Sequence, residues 1–146
     1  MGSIVGAALV SHVPTLVMPE AERRELNGGE DTSLFAGLHE LRRTKLDLVQ
    51  PDTIVVFDTH WATTVETVVA AHAHRAGSYT SDELPRGMTG VPYAFPGDPE
   101  LAHAAAALAD SREDTWITAI DDAGLPMHYG TVNLLQFLQG DEQWVS

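Results

Sequence analysis

The 146-residue sequence contains no cysteine, and only eight lysines and arginines against 21 aspartates and glutamates. Without thiols there is neither a disulfide framework nor a thiolate zinc site, so a bound metal has to be held by histidine, carboxylate or water. The shortage of basic residues, five of which are Arg23, Arg24, Arg42, Arg43 and Lys45, leaves a formal charge of −13. Tracking nucleic-acid phosphates takes a broad basic stripe, so nucleic acid is not expected as a partner. The acidity itself reads as solubility or adaptation to salt. Long apolar runs are missing too. Residues 4–10 are too few to cross a bilayer, and no basic segment precedes them as in a signal peptide. A cytoplasmic protein without a membrane partner is expected. No glycine-rich phosphate loop follows either early strand, which argues against a nucleotide enzyme.

What is present reads as one ordinary folded domain: 44% apolar and 20% charged residues, in a chain long enough to bury a core. Residues 4–10 are small and β-branched and end at Ser11-His12-Val13-Pro14, which predicts a buried strand stopped by Pro14. Leu34, Leu38, Leu41 and Leu48 fall on helical spacing, widened by Phe35 and Leu46. With capping residues at 31–33 and Pro51 as a stop, they predict a helix over 33–49. Residues 53–58 form a continuous apolar run, the mark of a strand covered on both faces. Strand, helix, strand in that order predicts a parallel pair with a right-handed crossover.

A third strand is expected over 65–71. Over 76–96 the periodicity disappears. Gly77, Pro85, Gly87, Gly90, Pro92 and Pro96 punctuate a long loop whose Tyr79, Met88, Tyr93 and Phe95 either shape a pocket or pack the loop down. Asp98-Pro99 caps a helix to about residue 109. A fourth strand over 115–120, a helix over 132–138 closed by Gly140, and a strand entering the core from residue 143 complete the reading. The expected class is α/β: a mixed, largely parallel sheet with helices on both faces. The chain is expected to be the N-terminal part of a single catalytic domain whose C-terminal part is missing.

His12 and His60 each stand one or two residues past the carboxyl end of an expected strand, the edge where open parallel sheets bind ligands. Neighbouring strands lie about 4.8 Å apart, so two such imidazoles on adjacent strands could reach one metal. The alternative is that each caps its strand end through hydrogen bonds. His72 and His74 alternate along one strand, and His39 and His103 sit within helices. All four read as solvated, without a role.

Ser11-His12-Val13-Pro14 and Val56-Phe57-Asp58-Thr59-His60-Trp61 resemble the two histidine motifs of the type III (LigB-type) extradiol ring-cleavage dioxygenases. Within that family, residues 57–61, Tyr79-Thr80-Ser81-Asp82-Glu83-Leu84-Pro85 and Pro96-Gly97-Asp98-Pro99-Glu100-Leu101 are most similar to the 3,4-dihydroxyphenylacetate (homoprotocatechuate) 2,3-dioxygenases. The match runs through essentially the whole chain, and it is specific because order, spacing and the intervening loop agree.

The resemblance implies a non-haem Fe(II) held by two histidines, His12 and His60, and one carboxylate, with open positions for a catechol and O2. The implied reaction opens the ring to a semialdehyde acid in aromatic catabolism, in an enzyme that forms a homo-oligomer. His128, in Met127-His128-Tyr129-Gly130-Thr131, matches a position where relatives carry an acid/base or substrate-binding histidine in an Asp-His-Gly-Thr type motif. Here the Asp and Gly are displaced, and a turn histidine ahead of the last helix is the other reading. The third ligand and a further acid/base histidine are expected beyond Ser146. Asp58, Asp121 and Asp122 read as turn and capping residues rather than substitutes for it. Arg86 is a candidate partner for a substrate carboxylate. Two other readings stay open: a non-enzymatic metal-binding relative with protein partners, and a metal-dependent hydrolase using zinc and indifferent to O2.

Overall fold

The computed structural model describes residues 2–60, 63, 65–83 and 87–146. Trp61 and Arg86, both singled out in the sequence, lie outside the described residues. A short 3-10 turn, Pro14–Val17, leads into α1 (Glu20–Leu26) and α2 (Ser33–Leu41). A π-helical turn (Arg42–Leu46) and α3 (Asp47–Val49) follow, then β1 (Thr53–Val55), β2 (Thr67–Ala70), β3 (His74–Tyr79) and β4 (Val91–Pro96). The chain continues through α4 (Pro99–Ala109), β5 (Ile117–Ile120), α5 (Tyr129–Leu138) and β6 (Gln143–Val145).

The fold is mixed α/β. β1 pairs in parallel with β6, with Ile54 opposite Trp144, and β2 pairs in parallel with β5. The Ala70 amide donates to the Ser146 carbonyl at 2.8 Å and so stitches the two parallel pairs together. The expected helices form where caps and periodicity coincide. The Thr32 hydroxyl accepts from the Leu34 amide at the start of α2, and Asp98 accepts from the Leu101 amide ahead of Pro99 in α4. The helix expected over 33–49 is interrupted by the π-helical turn, where Arg42 reaches out to Asp47, Glu142 and the Leu138 carbonyl. Gln50, in the left-handed region at φ 49°, ends it ahead of Pro51. No helix among the described residues is long and apolar enough to cross a membrane.

Three expectations are corrected. Residues 4–10 do not form a strand: they join no ladder among the described residues, and Ile4 and Leu9 are 94% and 102% exposed. A strand exists only through its neighbour's hydrogen bonds, and local sequence cannot supply that neighbour. The parallel partner of β1 is therefore β6, not the N-terminal segment. The run over 53–58 is covered on one side only, since Ile54 and Val56 pack on the core whereas Val55 and Phe57 face outward. Within the loop expected over 76–96, β3 and β4 pair as antiparallel strands. Pro92 and Pro96 are tolerated in a two-stranded ribbon, which has free edges. Gly77 lies opposite Tyr93, where a Cβ would stand 2.6 Å from the Tyr93 hydroxyl.

The core forms where α5 packs against the Pro14–Val17 turn, α2 and β4, around Trp144, Val132, Leu135, Phe95, Met88 and Leu16. Seven of the ten α5 residues are buried, among them Thr131 and Asn133. Polar side chains at such depth cost several kcal/mol unless they are hydrogen-bonded, on the order of the roughly 2 kcal/mol gained from each buried leucine beside them. Where these two bonds go determines the site.

Candidate metal site

Past β1 the chain stays extended to His60, and its side chains alternate. Residues 54, 56, 58 and 60 are half-buried, whereas 55, 57 and 59 are exposed. This two-residue period puts Asp58 and His60 on the inward side with Ile54 and Val56. Asp58 Oδ1 accepts from the His60 amide at 3.0 Å and lies 2.5 Å from His60 Nδ1. The other oxygen, Oδ2, accepts from the Thr131 amide at 3.1 Å and the Thr131 hydroxyl at 2.9 Å. Burial pushes the Asp58 carboxyl up, but the bonds from His60 and Thr131 outweigh it and hold it below the ordinary aspartate range. An ionised carboxylate only accepts, so a neutral His60 ring paired with it carries its proton on Nδ1 and its lone pair on Nε2.

The second buried polar group of α5 serves the other histidine segment. Asn133 Nδ2 donates to the carbonyls of His12 at 2.7 Å and Val13 at 3.0 Å, fixing the chain just before the Pro14–Val17 turn. The two segments thereby converge on the first turns of one helix. The His12 and His60 rings meet edge to face, with centroids 4.9 Å apart and planes at 84°. Tyr129 closes one side, 4.3 Å from the His60 ring and 5.8 Å from the His12 ring. Burial, then the negative charges of Glu83 and Asp58, push its phenol up, so it stays protonated.

His128 stacks beside His60, with centroids 6.2 Å apart and planes at 24°, and burial pushes its imidazole below the ordinary histidine range. It is also the N-cap residue of α5, without a side-chain capping bond there. It thus precedes the helix and lies beside His60.

The structure brings together His12, His60 and His128 of the residues singled out. His39 is exposed, as expected, with its ring edge-on to Phe35 and Phe137, and His103 is exposed on α4. His72 lies before β3 with Nε2 2.9 Å from the Asp122 carbonyl, and His74 is exposed. Asp122 accepts from the Gly124 amide, the turn role expected of it, and Asp121 is exposed. The contributions of Asp58, Thr131, Asn133 and Tyr129 are not evident in the sequence reading. One signal for Asp58 was available: a residue two before a histidine on an extended segment shares its side.

Two converging imidazoles, one with its Nδ1 proton held by a carboxylate, fit a divalent first-row metal as two of its ligands. Among the described residues, no group of three or more His, Cys, Asp or Glu side chains gathers to hold a metal ion. The set fits such a metal as part of a coordination sphere.

Comparison with known proteins identifies the family. A family model described as the catalytic LigB subunit of aromatic ring-opening dioxygenase matches residues 6–144. The chain is also 29% identical over 146 residues to the 3,4-dihydroxyphenylacetate 2,3-dioxygenase of Escherichia coli, a match covering 99% of this chain and 51% of that protein. It thus spans about half the length of that curated relative.

Proposed function

Because the chain belongs to the family of the catalytic LigB subunit of aromatic ring-opening dioxygenases, we propose that it carries the two-histidine part of a non-haem Fe(II) site for extradiol catechol cleavage. The observation that carries this reading is the meeting of the His12 and His60 rings, 4.9 Å apart, within a chain that matches the family almost throughout. His12 and His60 would hold the metal, His60 through Nε2. When bound, Fe(II) supplies open positions at which a catechol and O2 can be activated side by side.

The chain's own residues supply the surroundings. Asp58 keeps the His60 ring turned and its Nδ1 protonated. Tyr129, protonated, presents a ring and a hydroxyl beside both histidines. His128, pushed toward its neutral form by burial, is suited to take a catechol hydroxyl proton at a ring nitrogen and return it to the ring-opened product. Both atoms of O2 end in that product, a semialdehyde acid. The relative's name makes 3,4-dihydroxyphenylacetate, or another catechol bearing a carboxylate, the first substrate to test. The same reading leaves no part for nucleic acid or membrane and expects a homo-oligomer in the cytoplasm, acting in aromatic catabolism as the N-terminal part of one catalytic domain.

The test is the chain joined to the C-terminal part expected to complete the iron site, supplied with Fe(II) under air and 3,4-dihydroxyphenylacetate, and followed by the yellow absorbance of the semialdehyde and by O2 uptake. One semialdehyde formed per O2 consumed, lost in His12→Ala and His60→Ala, is the expected result. Turnover that proceeds unchanged without O2 would point to hydrolysis instead. Metal uptake with no ring opening on any catechol would point to a non-enzymatic relative.

A further inference from the structure

We infer that Asp58, clamped by Thr131, is a positioning residue that selects the His60 tautomer and hands a free, oriented Nε2 to the metal; this rests on the reading of His60 as a ligand. Four polar atoms reach the Asp58 carboxylate, the amide nitrogen and Nδ1 of His60 and the amide nitrogen and hydroxyl of Thr131. Its two oxygens are therefore tied to different elements, the extended segment after β1 and the first turn of α5, and cannot rotate without breaking bonds on both. Asp58 and His60 side chains are 10% and 22% exposed, so little water competes for this hydrogen bond.

The helix gains from the arrangement as well. His128, at the N-cap of α5, offers no side-chain capping bond, so Asp58 supplies the acceptor from across the chain. A negative carboxylate is favourable at that end of a helix dipole. Space for the clamp comes from Gly130, where a Cβ would stand 2.9 Å from Asp58 Oδ2 and 3.3 Å from His60 Nδ1. A residue that only closed a turn would need one of these bonds, not all four. An imidazole that donates its far N–H to a carboxylate is a more basic and better aimed ligand.

The experiment combines two readings on the 146-residue chain, neither of which needs catalysis. Nitrogen-resolved NMR of the metal-free chain reports which His60 ring nitrogen carries the proton. Calorimetric titration with Co(II), which binds such ligands more tightly than Fe(II) does, reports affinity. The native chain is expected to show the Nδ1–H tautomer. Asp58→Ala is expected to shift His60 toward Nε2–H and to bind Co(II) about 10- to 100-fold more weakly. Asp58→Asn keeps the shape and an acceptor, and is expected to restore the Nδ1–H tautomer with an intermediate affinity. It carries the test alone if Asp58→Ala fails to fold by circular dichroism.

The assignment is overturned if native His60 is protonated at Nε2, or if a folded Asp58→Ala keeps both the tautomer and the affinity. Asp58→Asn with native affinity likewise overturns the part assigned to the charge. Nδ1–H in the native chain without any Co(II) uptake upholds the tautomer assignment and overturns the ligand reading of His60, so the two claims fail separately.

Discussion

On the His60 side of the site the ring itself is fixed, through Asp58 Oδ1 at Nδ1 and through Thr131 behind it. On the His12 side only the backbone is fixed. Asn133 holds the carbonyls of His12 and Val13, Leu16 is buried to 1% exposure, and Arg23 donates to the Met18 carbonyl while paired with Asp31. No hydrogen bond reaches the His12 ring among the described residues, and most of the segment before it, 4–9, is exposed. One of the two proposed ligands is thus pre-oriented and the other only has its backbone held. Binding a metal would order the His12 side chain and change His60 little, so the entropy of ordering falls mainly on His12.

Three substitutions sharpen or break this contrast. The largest effect is expected from Asn133→Leu, which leaves two carbonyls near the core without their donor. Asn133 Oδ1 is buried and has no partner, so the change also removes a cost, and a loss of about 1–3 kcal/mol is expected. A urea midpoint measures it. His60 should keep its Nδ1–H signal while the resonances of 11–18 move; a shifted His60 tautomer would mean that the two halves are not separately held.

Gly130→Ala should act on the opposite half. The added methyl meets Asp58 and His60, and a destabilisation of about 1 kcal/mol is expected. His60 chemical shifts should change and those of residues 11–18 should not, which a two-dimensional NMR comparison reads directly.

The smallest effect is confined to acid. The Arg23 hydrogen bond, against a smaller opposing cost of burial, lowers the Asp31 carboxyl to about 2. Its folded value lies below its unfolded one, so the stability it adds is present above the ordinary aspartate range. That stability is lost as pH falls from about 4 towards 2. Asp31→Asn should flatten the melting temperature against pH in that window, and native acid sensitivity there should appear first at residues 14–18. Unchanged acid sensitivity in the variant would remove Asp31 from the account of the His12 segment.

The same contrast explains what the sequence made legible. His12 and His60 could be singled out because each stands in a short, distinctive motif, and α2 and α4 because caps and helical spacing are local. Residues 4–10 resemble β1 in their apolar run, although among the described residues no strand pairs with them. The β3–β4 hairpin was hidden by Gly77, Pro92 and Pro96, which read as breakers until Tyr93 is seen lying across Gly77. Asp58 reads in the sequence as a turn or capping residue rather than a ligand, because its bond to Thr131 spans 73 residues; the bond from Asn133 to His12 spans 121. Hydrogen bonds of that separation leave no periodic trace.

The central claim is that His12 and His60 serve one metal, and Co(II) titration of the native chain, His12→Ala, His60→Ala and the double variant tests it most directly. Groups that act on one ion are not additive. One Co(II) per native chain is expected, with either single substitution removing uptake as completely as the double. Native affinity in either single variant, or losses that simply add, would contradict a shared site.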